Sequence, residues 1–324
     1  MVNIKSPSGY HLVKTIKIGG EGGWDYLIVD DVARRLFVTH GNRVHVLSAD
    51  TLAILGEIPN TEGIHGVAIA SEFGRGFTSN GRTSTVSIFD LKTLKVISQV
   101  PVGENPDSIR FDPASKKVFV FNGRSHDTSV IDAANGTVVA TIPLGGKVEF
   151  SVTDGKGRVY VNNEDKSEID VIDSQTLKLI GQWPLAPGEA PTGLAIDTKN
   201  RRLFSVTRNK FMIVTDADNG HILASLPIGS GCDGCGFDPE TQLAFSSNGE
   251  GTLTIVHEES PTVFKVLETV TTRRGARTMT IDLKTHSVFL PTAEFGPTPQ
   301  PTAEQPRPRP TVIPDTFVLL QFQK

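Results

Sequence analysis

The chain has 324 residues, a formal net charge of −4 and a hydrophobic share of 38%, with 31 Gly and 20 Pro. No lysine or arginine block is present, which argues against a surface that tracks nucleic-acid phosphates. No run approaches the roughly 20 apolar residues that a membrane helix needs. Gly and Pro punctuate strands and seldom lie inside them, so this composition predicts many short strands joined by tight turns, with few helices.

In chain order, Met1 to Gly9 lacks the charged end and apolar centre of a secretory signal. The expectation is a cytosolic chain or one whose leader has been removed. The first strand-like segment, YHLVKTIKI from Tyr10, has no partner near it in sequence. A repeat then begins. Its entering segments read GWDYLIVD from Gly23, GIHGVAIA from Gly63, NPDSIRFD from Asn105, KVEFSVTD from Lys147, APTGLAID from Ala190, GCDGCGFD from Gly231 and GARTMTID from Gly275. Successive starts lie 40 to 44 residues apart.

A second strand follows each entering segment (RRLFVTH, GRGFTSN, KKVFVFN, GRVYVNN, RRLFSVT, QLAFSSN, HSVFLPT), then a third with a polar turn (VSIFDLKTLKV, TSVIDAANGTVV) and a fourth apolar run (VISQVPV, VATIPL). Four short strands per unit of this period predict a β-propeller blade rather than a helical repeat. The seventh unit ends at TFVLLQFQK, a third strand without a fourth, whereas YHLVKTIKI is a fourth strand without a unit. The two are expected to share one blade, giving an all-β seven-bladed propeller with no open edge and one domain over residues 1–324.

The phrases LFVTHG, VFVFNGR, VYVNNEDKSEIDVID, EAPTGLAIDTKNRRLF and ARTMTIDLKTHSVFLPTAEFG resemble the bacterial YncE-like proteins with YVTN-type propeller repeats, over essentially the whole chain. The resemblance implies seven blades and a periplasmic or exported location. More distant seven-bladed relatives include lactonases, and fold alone assigns no activity.

In an up-and-down blade, the loop entering the innermost strand and the loop between strands two and three open on one face. The third position of the entering segments is Asp25, His65, Asp107, Glu149, Thr192, Asp233 and Arg277. Carboxylates crowded about an axis are expected to hold raised pKa values or to be neutralised by a cation. Hard oxygens with one imidazole suit Ca²⁺, Mg²⁺, Mn²⁺ or Zn²⁺, with Asp25, His65, Asp107, Glu149 and Asp233 as candidate ligands.

His65, Asp107, Glu149 and Arg277 are the candidate catalytic residues: a carboxylate or His65 taking a proton from metal-bound water, an arginine holding developing negative charge. Ligand-binding candidates are Trp24, Asp25, His40, Arg82, Asn122, Arg124, His126, Asn163, Arg208, Asn248, Glu294 and Phe295. Asn80, Asn162, Glu164 and Glu250 belong to the same loops. Trp24 is expected to act as an inter-blade wedge more than as a stacking platform. Asp and Asn at loop starts also cap turns, and arginines also form surface pairs of little energetic consequence.

No nucleophile elbow, HExxH, phosphate loop or dinucleotide fingerprint is present, so no nucleotide cofactor is expected. Cys232 and Cys235, three apart on one strand, are expected to be buried thiols rather than a bridge. From Pro291 to Phe317 the last unit expands into a proline-rich segment, either a wall or lid of a pocket or a disordered insertion. The functional expectation is a monomer that binds a small molecule and a divalent cation in an acidic funnel. The alternatives are a metal-dependent hydrolase of lactones, esters or phosphotriesters at that funnel, and a protein-interaction scaffold.

Overall fold

The computed structural model describes residues 6–300, 302, 308 and 310–324. They form seven four-stranded antiparallel sheets. Blade 2 shows the pattern, running from the axis outward as Ile64–Ala70, Arg75–Asn80, Thr85–Asp90 and Val96–Pro101. Blade 7 is assembled from both ends of the chain: Thr280–Asp282, Ser287–Thr292 and Val318–Gln323 are completed by His11–Lys17. There His11 pairs with Gln323 and Lys17 with Val318. A single 3₁₀ turn, Ser71–Phe73, is the one helical element among the described residues.

The repeat's aspartates explain why the strands stop where they do. Asp90 Oδ1 accepts the backbone N–H groups of Lys92 (3.1 Å) and Thr93 (2.7 Å), and Asp132 and Asp173 do the same two and three residues on. This side-chain turn replaces ladder bonds and reverses the chain. Each turn then needs a left-handed residue, which is Leu94 (φ 59°) in blade 2 and Gly136 (φ 78°) in blade 3.

The core consists of seven apolar clusters, one at each contact between neighbouring blades. The one joining blades 1 and 7 gathers Leu36 and Val38 with Phe289 and Leu319, so the ring is closed by packing as well as by strand pairing. Across that same junction, Arg34 donates to both carboxylate oxygens of Asp282, at 2.7 and 2.6 Å. Second strands are almost wholly buried, as in Arg75–Asn80, while fourth strands such as Val96–Pro101 are half exposed. No helix among the described residues is long and apolar enough to cross a membrane.

Candidate functional site at the channel mouth

The ring positions are set by a fault in the ladder. In blades 2 to 6 the pairing of first and second strands shifts register around the ring residue, between Ile64 and Val67, Pro106 and Ile109, Val148 and Ser151, Pro191 and Leu194, and Cys232 and Gly234. A bulge releases one residue from the alternation and re-aims its side chain. His65, Asp107, Glu149 and Asp233 are thereby turned towards the axis. In blade 1 the strand starts only at Leu27, and in blade 7 only at Thr280, so Asp25 and Arg277 reach the mouth from the preceding loops.

Six of the seven ring residues meet there. His65 Nδ1 lies 2.6 Å from Asp25 Oδ2 and 3.7 Å from Asp107 Oδ1. One ligand atom from each of Asp25, His65 and Asp107 lies within 4.8 Å of the others. Arg277 donates through Nε to Asp233 Oδ2 (2.8 Å) and through Nη2 to the Trp24 carbonyl (2.8 Å), and its Nη2 is 3.9 Å from Asp25. Glu149 pairs with Lys147, which also bridges to Glu164, and Glu164 holds Arg208 at 2.6 Å. Gly81 makes room for the imidazole, since a Cβ at that position would lie 2.6 Å from His65 Nε2.

The electrostatics follow from burial and crowding. Burial alone would lower the His65 pKa, but the charge of Asp107 and the hydrogen bond to Asp25 outweigh it and push it up to about 9. Burial raises Asp107 to about 6, against the pull of His65 and with the push of Asp25 and Asp233. Burial and Asp107 drive Glu149 well above the ordinary carboxyl range, and its interaction with Glu164 raises it further while lowering Glu164 despite that residue's own burial. Asp233 is raised by burial even beside Arg277. Both expected responses to crowding thus occur together, raised carboxyl pKa values and neutralisation by side-chain cations.

Several candidates sit elsewhere. Thr192 is 1% exposed and donates to the Cys232 carbonyl at 3.0 Å, so this ring position is internal. The expectation that Asn122, Asn163 and Asn248 face the mouth is corrected: all three are fully buried within their blades. Their amide N–H groups donate to Asp127 and Ser129, to Asp170, and to Thr252 and Thr254, respectively. Asn80 and Asn162 are buried in the same way, bonding Ser87 and the carbonyls of Thr192 and Gly193. Glu250 accepts from Ser230 and Thr252 on the surface. His126 is an exposed turn residue with φ 56°.

Trp24 is buried among Phe295 and Phe317, the wedge between blades 1 and 7. His40 stacks on Phe317 with ring centroids 4.0 Å apart and faces His45, and burial and that second imidazole lower its pKa to about 4, leaving it neutral. Cys232 and Cys235 are free and buried; burial raises both thiols, Cys232 to about 12, so neither is a ready thiolate. In the proline-rich segment Phe295 bridges Val312, and the returning limb docks by Asp315 N–H on the Gly20 carbonyl (3.0 Å). Glu294 stands exposed at its base, and its middle, residues 301, 303–307 and 309, lies outside the described residues.

Two side chains at the mouth escaped the column of ring positions. Lys147 lies just ahead of the strand Val148–Thr153, beyond the reach of strand alternation, and its ammonium joins Glu149 to Glu164. Tyr26 is buried immediately below the ring, where burial and then the charges of Asp107, Glu149, Asp25 and Asp233 raise its hydroxyl well above the usual phenol range. A cavity of about 890 Å³ opens beside the triad, walled by Gly20, Arg43, Arg82 and Arg277 together with Asp25 and His65. A smaller one of about 480 Å³ continues past His65 and Arg82 to the exposed Arg124.

No family model matches the chain, and no curated protein matches it. Among solved structures it is similar to the hydrazine synthase of Kuenenia stuttgartiensis, with a TM-score of 0.72 and 13% identity, covering 83% of this chain and 92% of that one. At that identity the likeness concerns the propeller fold alone.

Proposed function

We propose that this channel mouth binds a divalent cation on Asp25, His65 and Asp107, and beside it a small organic ligand. The observation that carries the reading is Asp107 Oδ1, which is buried without a hydrogen-bond partner and belongs to the set of three ligand atoms within 4.8 Å. A buried carboxylate oxygen without a hydrogen-bond donor is costly, His65 Nδ1 at 3.7 Å being too far to supply one, and a metal cation satisfies it. An imidazole beside two carboxylates favours Mn²⁺ or Zn²⁺ over Ca²⁺ or Mg²⁺, which take oxygen ligands. Three protein ligands leave coordination positions for water or ligand, and the adjoining 890 Å³ cavity falls within the roughly 300–1,000 Å³ of small-molecule sites.

Calorimetric titration of chelator-treated protein with each metal tests this. We expect Mn²⁺ or Zn²⁺ to bind, and Asp107→Asn to weaken binding at least tenfold. Absence of binding at millimolar metal, or an unchanged Asp107→Asn variant, would overturn the reading.

A second reading, hydrolysis of a lactone, ester or phosphotriester, is favoured by Arg82 and Arg277 standing in the wall of the same cavity as the triad, where they could hold developing negative charge. A substrate panel with and without chelator decides it. On this reading the chain is a single-domain monomer, and its repeat phrases support a place among the YncE-like proteins.

A further inference from the structure

Below the acidic ring the channel changes character. The residues three places after the ring positions are Ile28, Ala68, Arg110, Val152, Ala195, Gly236 and Thr280, so one charge stands in an apolar tier. All of these except Ala68 line a second cavity of about 220 Å³, which Phe150, Ile196 and Ile281 also wall and which Tyr26 roofs from the ring side. Arg110 donates through Nε (3.2 Å) and Nη2 (2.9 Å) to a single acceptor, the Ser151 carbonyl, and its guanidinium lies 5.2 Å over the Phe150 ring. No carboxylate pairs with it among the described residues.

The other titratable groups in the wall do not neutralise it. Tyr26 is held as the neutral phenol, the Cys235 thiol is raised by burial, and Asp31 at the rim is paired with Arg34 at 3.7 Å. Burial, with no opposing charge, lowers Arg110 to about 10, so it remains a cation at neutral pH.

Arg110 is half-buried in this apolar wall, and a cation partly withdrawn from water gains from an anionic partner. Arg110 retains donors on Nη1 and Nη2 with no acceptor among the described residues, and a guanidinium fork matches a carboxylate in a bidentate fashion. We propose that this lower channel is a binding site for a small monocarboxylate with a short apolar or aromatic body, its carboxylate on Arg110 and its body against Phe150, Ile28, Val152 and Ile196. The volume is below that of drug-sized sites, which limits the ligand to a benzoate-like or medium-chain acid. The site is separate from the proposed metal triad, and its test runs in excess chelator so that the two stand or fall apart.

The probes are benzoate, octanoate and the neutral benzamide, titrated calorimetrically into wild type and Arg110→Met. Methionine keeps an unbranched apolar chain in the tier, and removing a half-buried charge that has no carboxylate partner is not expected to harm folding, which a thermal melt of the unliganded variant checks. We expect at least one carboxylate to bind wild type, benzamide to bind at least tenfold more weakly than benzoate, and Arg110→Met to weaken carboxylate binding at least tenfold. Failure of both carboxylates to bind at about 10 mM ligand, or equal binding by folded Arg110→Met, overturns the proposal.

Discussion

His65 shows how much of the mouth rests on one proton. Its folded pKa of about 9 exceeds the ordinary 6.5, so the native state binds more protons than the unfolded chain between those values. By linkage, the stability it contributes is complete below about pH 6.5 and is lost as pH rises through 9. Below pH 6.5 the lowered His40 and His45 act in the opposite sense, which makes pH 7 to 9 the informative window. With chelator present, the wild type is expected to lose about 2 kcal/mol across that window, the order set by a shift of this size. Asp107→Asn, which removes the main charge holding the proton, should lose less than half of that. Denaturant midpoints at pH 7, 8 and 9 measure it, and an equal slope in both proteins would deny Asp107 this role. The ring column was legible because GWD, GIH, NPD and KVE align by residue. Thr192 stood in that column yet turned inward, since a hydroxyl can satisfy itself on a neighbouring carbonyl where a carboxylate cannot.

At the scale of the element, the blades owe their boundaries to aspartates and their junctions to apolar faces with a few buried ion pairs. Asp282 is fully buried, and its fork with Arg34 joins blades 7 and 1. Removing one partner of such a pair leaves an uncompensated charge, so Arg34→Met is expected to cost about 3 kcal/mol. A urea midpoint corresponding to less than about 1 kcal/mol would show that the Thr285 hydroxyl and the Lys284 N–H suffice for the carboxylate. Strands and turns were readable because alternation and Asp-initiated turns are local. The asparagines that end the second strands were not, for Asn80, Asn122 and Asn248 look like loop residues in sequence and act as buried clamps between neighbouring strands. The register faults that aim the ring residues left no mark either, because a bulge is a property of two strands together.

Closure is a property of the whole molecule. Deleting residues 1–17 would leave Val318–Gln323 as an open edge with its backbone donors and acceptors unpaired. The truncated protein is expected to elute as larger species and to lose its single sharp melting transition, and a peptide of residues 6–18 added in trans should restore the elution position of the intact chain. Unchanged elution and melting would mean that the seven inter-blade clusters hold the ring unaided. This closure was legible from an orphan strand at one end and a missing one at the other.

The pairing of His11 with Gln323 also sets a clock. His11–Lys17 precedes every complete blade in sequence and its partner Val318–Gln323 follows them all. The ring therefore cannot close until both strands have been made, and every earlier stage of the chain is an open crescent.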